Sequence, residues 1–174
     1  MAEAVQDAIA EANQATVSQD ATKLSQIVTF KLGAEEYGVD IMKVQEIILM
    51  GEITKVPEVP GFIEGVINLR GNVIPIIDLR KRFQLSECSL TDETRVVVVN
   101  VENKTMGIIV DAVSEVLRIA SDEIDPAPAT IVGLGKEYLK GLVKLESRLL
   151  ILLDINRILN LDEQQSVDDA AAQQ

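Results

Sequence analysis

The chain repeats itself, and the repeat limits what it can fold into. Gly38 and Gly107, Val44 and Val113, Glu46 and Glu115, and Pro57 and Pro126 match at a spacing of 69 residues. Further on, Gly65 and Gly141, Leu69 and Leu145, and Asp78 and Asp154 match at a spacing of 76. The difference fits an insertion around 131–139, where Gly133 and Gly135 mark a loop. The apolar pattern carries the match further: Val66, Ile67, Leu69, Val73, Ile74, Ile76, Ile77, Leu79 and Phe83 all meet apolar residues 76 positions on. Each copy has about 65–70 residues, near the lower limit for a self-sufficient core. The two copies are therefore expected to share one.

Each copy reads as strands with one short helix. Residues 27–32 predict a strand, followed by a turn at 33–36. Residues 39–49 are apolar at 41, 44 and 48, the spacing of a helical face, with Asp40 as N-cap. Pro57 and Pro60 make 54–60 an edge or a loop. Residues 65–70 and 73–79 flank Gly71-Asn72 as the arms of a hairpin. The second copy follows suit: strands at 95–102 and 104–109, a helix at 111–117, a Pro-containing loop, and a hairpin pivoting near Ser147. Runs such as Val73-Ile74-Pro75-Ile76-Ile77 imply strands covered on both faces, hence closed barrels or packed sheets. Two packed barrels of about five strands fit both length and repeat; a two-layer sandwich is the alternative.

The longest apolar runs, 96–99 and 149–153, have strand length and fall far short of the ~20 residues of a membrane span. The first residues have neither the basic nor the apolar segment of a secretory signal, and Cys88 has no partner for an internal disulfide. A cytoplasmic protein is expected, so the sequon-like Asn103-Lys104-Thr105 reads as coincidence. Of the net charge of −12, residues 1–24 carry −3 and residues 160–174 carry −4, leaving −5 on the body. Residues 1–24 are expected to be a flexible or weakly helical tail, since Val5, Ala8, Ile9 and Ala12 share one helical face. Residues 161–174 are expected to be an acidic tail.

Much chemistry is ruled out. The absence of histidine removes Ser-His-Asp and Cys-His catalysis and the commonest zinc ligand. A lone cysteine builds no thiolate cluster, no phosphate loop is present, and Gly133-Leu134-Gly135 lacks the third glycine of a dinucleotide fingerprint. Acidic runs at Glu35-Glu36 and Asp122-Glu123-Asp125 lack the spacing of a calcium loop. No cofactor and no metal are expected. An acidic body with five aromatics also argues against a nucleic-acid binder. Two other classes stay open: an OB-like barrel for oligosaccharide or single-stranded nucleic acid, and a hydrolase using carboxylates alone.

Three stretches resemble the CheW family of bacterial chemotaxis coupling proteins. Residues 36–47, Glu-Tyr-Gly-Val-Asp-Ile-Met-Lys-Val-Gln-Glu-Ile, resemble its first signature. Residues 65–80, Gly-Val-Ile-Asn-Leu-Arg-Gly-Asn-Val-Ile-Pro-Ile-Ile-Asp-Leu-Arg, match its most specific motif almost throughout. Residues 107–113 and Pro126-Ala127-Pro128 resemble the second half. The resemblance implies a mainly β fold of two intertwined SH3-like five-stranded barrels with short helices. The domain would span 25–160, with barrels at about 33–88 and 95–155 and intertwined ends. It also implies a non-enzymatic cytoplasmic adaptor, without membrane insertion of its own, binding the regulatory domain of the histidine kinase CheA and the cytoplasmic tips of chemoreceptors. A receiver domain or kinase core, found in related proteins that carry this domain, is not expected here.

By the same resemblance Val39, Met42, Val44, Glu46, Asn68 and Arg70 are expected at the receptor site, and Val56, Pro57, Gly65 and Thr130 at the kinase site. Arg70 ends an apolar strand at a turn, so its guanidinium should project outward, ready for a carboxylate; an internal salt bridge shaping the turn is the alternative. Val39, Met42 and Val44 could equally be plain core. Arg80-Lys81-Arg82 is expected to form a solvated face.

Overall fold

β-Branched residues and tight turns shape a computed structural model that describes residues 5–10, 24–83, 85, 90–126 and 138–158. The first copy holds β1 (Leu24–Leu32), β2 (Glu35–Asp40), β3 (Val44–Leu49), β4 (Ile63–Leu69) and β5 (Asn72–Asp78). The second holds β6 (Arg95–Val101), β7 (Lys104–Val110), β8 (Ala112–Ala120), β9 (Ile124–Asp125), β10 (Leu139–Lys144) and β11 (Leu149–Leu153). One sheet has the order β3-β6-β7-β5-β4, the other β8-β1-β2-β11-β10-β9. These are the two SH3-like barrels expected, except that the two-residue β9 gives the second sheet a sixth strand; an isolated Thr54–Val66 bridge stands in its place in the first.

The copies exchange strands. β1 and β2 join the sheet of β8 and β11, whereas β6 and β7 lie between β3 and β5. The spans 33–88 and 95–155 therefore do not each enclose one sheet: β2 belongs with the second, β6 and β7 with the first. Among the described residues the chain changes sheet at a 3₁₀ turn, Ile41–Lys43, and again at Asp111. The Asp40 carboxylate accepts the Met42 N–H at 2.9 Å and caps the first crossing. At the second, Asp111 accepts the Gly33 N–H at 2.7 Å and pairs with Arg80.

The repeat is visible in the geometry. Gly38 faces Leu152 in the parallel β2–β11 pair, and Gly107 faces Ile76 in the parallel β5–β7 pair. A Cβ at Gly107 would lie 2.6 Å from Ile76 and 2.7 Å from Val96, and one at Gly38 would collide with Ile27, so both positions need the missing side chain. Asp78 and Asp154 each cap the helical turn after the last strand of their hairpin, accepting the N–H two residues on.

Five sequence expectations are corrected. The helix expected at 39–49 is the 3₁₀ turn followed by β3, and the helix expected at 111–117 is β8. Val44, Ile47, Ile48, Val113, Val116 and Ile119 prefer strand, and their spacing does not separate one helical turn from a half-buried edge. The two-residue hairpin loop is Arg70-Gly71 rather than Gly71-Asn72, since Leu69 pairs with Asn72. Residues 5–10 form a helix whose Val5 and Ile9 are buried in the main core, so this part of the tail is docked.

The fifth correction concerns Arg80-Lys81-Arg82. Arg80 is buried against Asp111 and Lys81 pairs with Glu64. Arg82 lies over Phe62 at 5.0 Å and Tyr138 at 4.9 Å, and its Nε donates to the Ile158 carbonyl at 2.9 Å. Phe62 and Tyr138 are repeat partners at the spacing of 76, so one guanidinium pins the two copies together. Phe30, Tyr37, Phe83 and Tyr138 extend that contact as a series of ring pairs with centroids 6.2, 5.9 and 5.5 Å apart. No helix among the described residues is long and apolar enough to cross a membrane.

Candidate functional site

The β4–β5 hairpin carries the site. Arg70 and Gly71 have φ of +52° and +87°, the left-handed pair of a type I′ loop, and the Asn68 side chain accepts the Gly71 N–H at 2.8 Å. The loop turns Arg70 toward β3, the strand at the far end of the same sheet. There its Nη1 and Nη2 donate to Glu46 at 2.6 and 2.8 Å in a two-pronged bond. The β3–β6 register shifts between Val44 and Glu46, so Val44 turns into the main core, Gln45 is exposed, and Glu46 turns to the opposite face of the sheet, where its carboxylate lies under the hairpin. The pair thus closes the curled sheet.

Burial separates the two partners. The Glu46 side chain is 10% exposed, the Arg70 side chain 71%. Hydrogen bonding to Glu46, and then its charge, raises the Arg70 pKa further. Arg70 is at once an outward cation and a member of an internal pair, so both readings of its position hold. Its free edge offers donors to a further carboxylate or carbonyl. Met42, 59% exposed on the 3₁₀ turn, and Asn68, exposed before the loop, add an apolar and a polar contact. Val39 and Val44 are core residues and are corrected as contact residues: they shape the face from beneath.

The second group sits at the other end of β4. A Cβ on Gly65 would strike the Thr54 carbonyl, and its φ of +151° further favours glycine. Val56 packs on Val66 beneath the surface, and Pro57 is exposed beside it. Thr130 lies outside the described residues. Gly65 and Arg70 are five residues apart along a strand rising about 3.3 Å per residue, so the groups stand roughly 17 Å apart. One strand carries two separate faces.

The remaining ionic chemistry is structural. A shallow groove of about 210 Å³ is lined by Met50, Glu64, Asp78, Arg80, Lys81, Leu90 and Ile109. Burial pushes the Asp78 carboxyl up, the Arg80 backbone N–H opposes this, and Glu64 adds to the rise. Asp78 is occupied as a cap and Glu64 by Lys81. No group of three or more metal-ligating side chains occurs among the described residues. Sequence reasoning missed Arg80, Arg82, Asp111 and Arg148. Arg80 and Asp111 lie in the stretches that resemble the family and Arg82 in the basic run, but nothing local shows their pairing, because the partners of all four are long-range.

Comparison with known proteins places this geometry. The CheW-like domain family matches residues 26–163. The chain is 46% identical over 162 residues to a chemotaxis protein CheW of Klebsiella aerogenes, covering 92% of this chain and 98% of that protein. It is 39% identical over 146 residues to the CheW of Treponema pallidum, covering 82% and 86%. The crystal structure of the scaffolding protein TtCheW from Thermoanaerobacter tengcongensis matches with a TM-score of 0.76 at 34% identity, over 86% of this chain and 96% of that one. With the repeat, the exchanged strands and the Asn-Leu-Arg-Gly hairpin all in place, the chain belongs to the CheW-like family.

Proposed function

We propose that the protein is a non-catalytic adaptor that couples transmembrane chemoreceptors to the histidine kinase CheA. It would act in the cytoplasm and reach the membrane-associated array through its partners. One observation carries this reading: β4 has an exposed, oriented arginine at one end and a separate loop-backed face at the other. Arg70, Met42 and Asn68, fixed by Glu46, would meet a receptor tip. Pro57, supported by Val56 and Gly65, would meet the regulatory domain of CheA, with Thr130 proposed for the same face. Two faces on one rigid strand suit a scaffold, which must hold two partners at a fixed separation.

The test is a charge reversal at Arg70 with three readouts on one purified protein. Arg70→Glu sets a carboxylate against the receptor and should weaken binding of a receptor-tip fragment at least about tenfold, while leaving CheA binding unchanged. The double variant Glu46→Arg/Arg70→Glu restores the closing pair with its polarity reversed. It should recover thermal stability and still fail to bind receptor. Recovery of receptor binding in the double variant would instead assign Arg70 to shaping the hairpin.

A further inference from the structure

We propose that residues 5–10 are a displaceable cap on the open edge of β3, competing with the partner that docks at the Glu46–Arg70 face. The proposal deepens the proposed function and rests on it for the identity of that partner. Among the described residues β3 ends its sheet, so its outward backbone groups have no neighbouring strand there. The Gln6 side-chain carbonyl accepts the Ile47 N–H at 3.1 Å and takes that vacant place. Val5 and Ile9, one helical turn apart, are 3% and 1% exposed within the main core, and Ala8 packs beside them along with Ile47. Ile47 adjoins Glu46, so a chain lying along this edge toward Arg70 meets the cap.

The cap is built to come off. Residues 5–10 are described as helix, and most helical stability in a folded protein comes from packing an apolar face, so the helicity of this stretch depends on docking. Among the described residues its anchor is two buried apolar side chains and one hydrogen bond to an exposed strand edge, set against the entropy of ordering the segment. Such a contact opens without unfolding the sheets beneath it. Its form also describes what displaces it: a helix presenting two apolar side chains at i and i+4 and a polar acceptor for the Ile47 N–H. The proposed partner is a chemoreceptor tip that supplies such a face.

The experiment compares full-length wild type, the double variant Val5→Asp/Ile9→Asp, and Gln6→Ala. Hydrogen exchange is followed at the Ile47 amide, and affinity is measured for a soluble receptor-tip fragment. Undocking should speed exchange at Ile47 about tenfold or more while strands of the other sheet stay protected. Receptor affinity should rise by a similar factor, about tenfold, since the same undocked fraction limits both exchange at Ile47 and receptor binding. Gln6→Ala, which keeps the apolar anchors, should shift both in the same direction by less. Unchanged exchange at Ile47 in the double variant, with receptor binding intact, overturns the cap and leaves the adaptor reading standing. Faster exchange with unchanged or weaker affinity overturns the competition. A fragment that binds none of the three proteins overturns both the competition and the receptor assignment.

Discussion

The two copies solve one closure problem differently. Each sheet must hold its hairpin against the strand at its opposite end. In the first, Arg70 spans from the β4–β5 loop to Glu46 on β3. In the second, Glu115 on β8 holds the place of Glu46, but the cation is Arg148, which follows the hairpin loop instead of opening it. Arg148 also reaches Glu36 on β2 at 3.0 Å, so it is shared between two carboxylates and is 44% exposed, against 71% for Arg70. At Glu115 the Thr29 hydroxyl also donates to the backbone carbonyl and accepts the N–H where β1 bulges. The carboxylate is held in common, and the position of the cation is what differs. A single anchor leaves Arg70 open on its outer side, whereas two anchors engage Arg148 within its own barrel.

The comparison breaks first if the copies can be parted. A cut between them leaves β1 and β2 without β8 and β11, and β3 and β5 without β6 and β7. Fragment 25–88 should therefore lose cooperative unfolding, with poorly dispersed amide spectra. Fragment 41–110 keeps β3 to β7, a complete sheet, and should be the more ordered of the two although it crosses the repeat boundary. A sharp thermal transition in fragment 25–88 would show that the exchanged strands contribute little.

That exchange marks the limit of what the sequence reveals. The repeat was legible because equivalent positions face equivalent constraints: glycines at close approaches, aspartates at caps, apolar residues on covered strands. Which copy a strand joins depends on long-range pairing, and no local pattern distinguishes β2 in one sheet from β2 in the other. The two missed strands, β3 and β8, have apolar spacings that suit a helical face and a strand equally. For the site, the family motif led to Glu46 and Arg70, but their contact rests on closure of the sheet. Val39 and Val44 share the motif with surface residues, although both pack into the main core.

Next in size is a pair of glycines. A Cβ at Gly65 meets a backbone carbonyl at a φ of +151°, whereas one at Gly141 meets Ile124 Cγ2 at 2.6 Å and the Asp125 carbonyl at 2.7 Å without a positive φ. Gly65→Ala should cost about 3 kcal/mol or more and Gly141→Ala about 1–3 kcal/mol, read from urea midpoints at constant slope. Gly65→Ala should also weaken CheA binding by moving the Thr54 loop. Equal costs would mean that the first copy holds no extra backbone strain. The arginines sharpen the contrast on the binding side: Arg70→Glu should weaken receptor binding about tenfold, and Arg148→Glu should leave it within about twofold.

The smallest expected effect compares the two capping aspartates. Asp78 faces Glu64, whereas the position 76 residues on from Glu64 is Lys140. Burial, with help from Glu64, raises the Asp78 pKa in the folded protein above its unfolded value. A carboxyl with a raised folded pKa binds its proton more tightly when folded, so wild type gains stability as pH falls through that pKa toward the ordinary aspartate value. Above it, the desolvated charge is a constant cost. Asp78→Asn keeps a side-chain oxygen able to accept the Arg80 N–H and removes the charge. At pH 7 the variant should match or exceed wild type by less than about 1 kcal/mol, because the group is half-exposed and screened. At pH 4 that advantage should shrink, since wild type is then partly neutral as well. Comparing wild type and variant at each pH cancels the titration of every other carboxylate. A difference that stays constant between pH 7 and 4, or widens in favour of the variant on acidification, would show that the Arg80 N–H and nearby cations outweigh burial at Asp78. The contrast between Glu64 and Lys140 would then have no effect on the first cap.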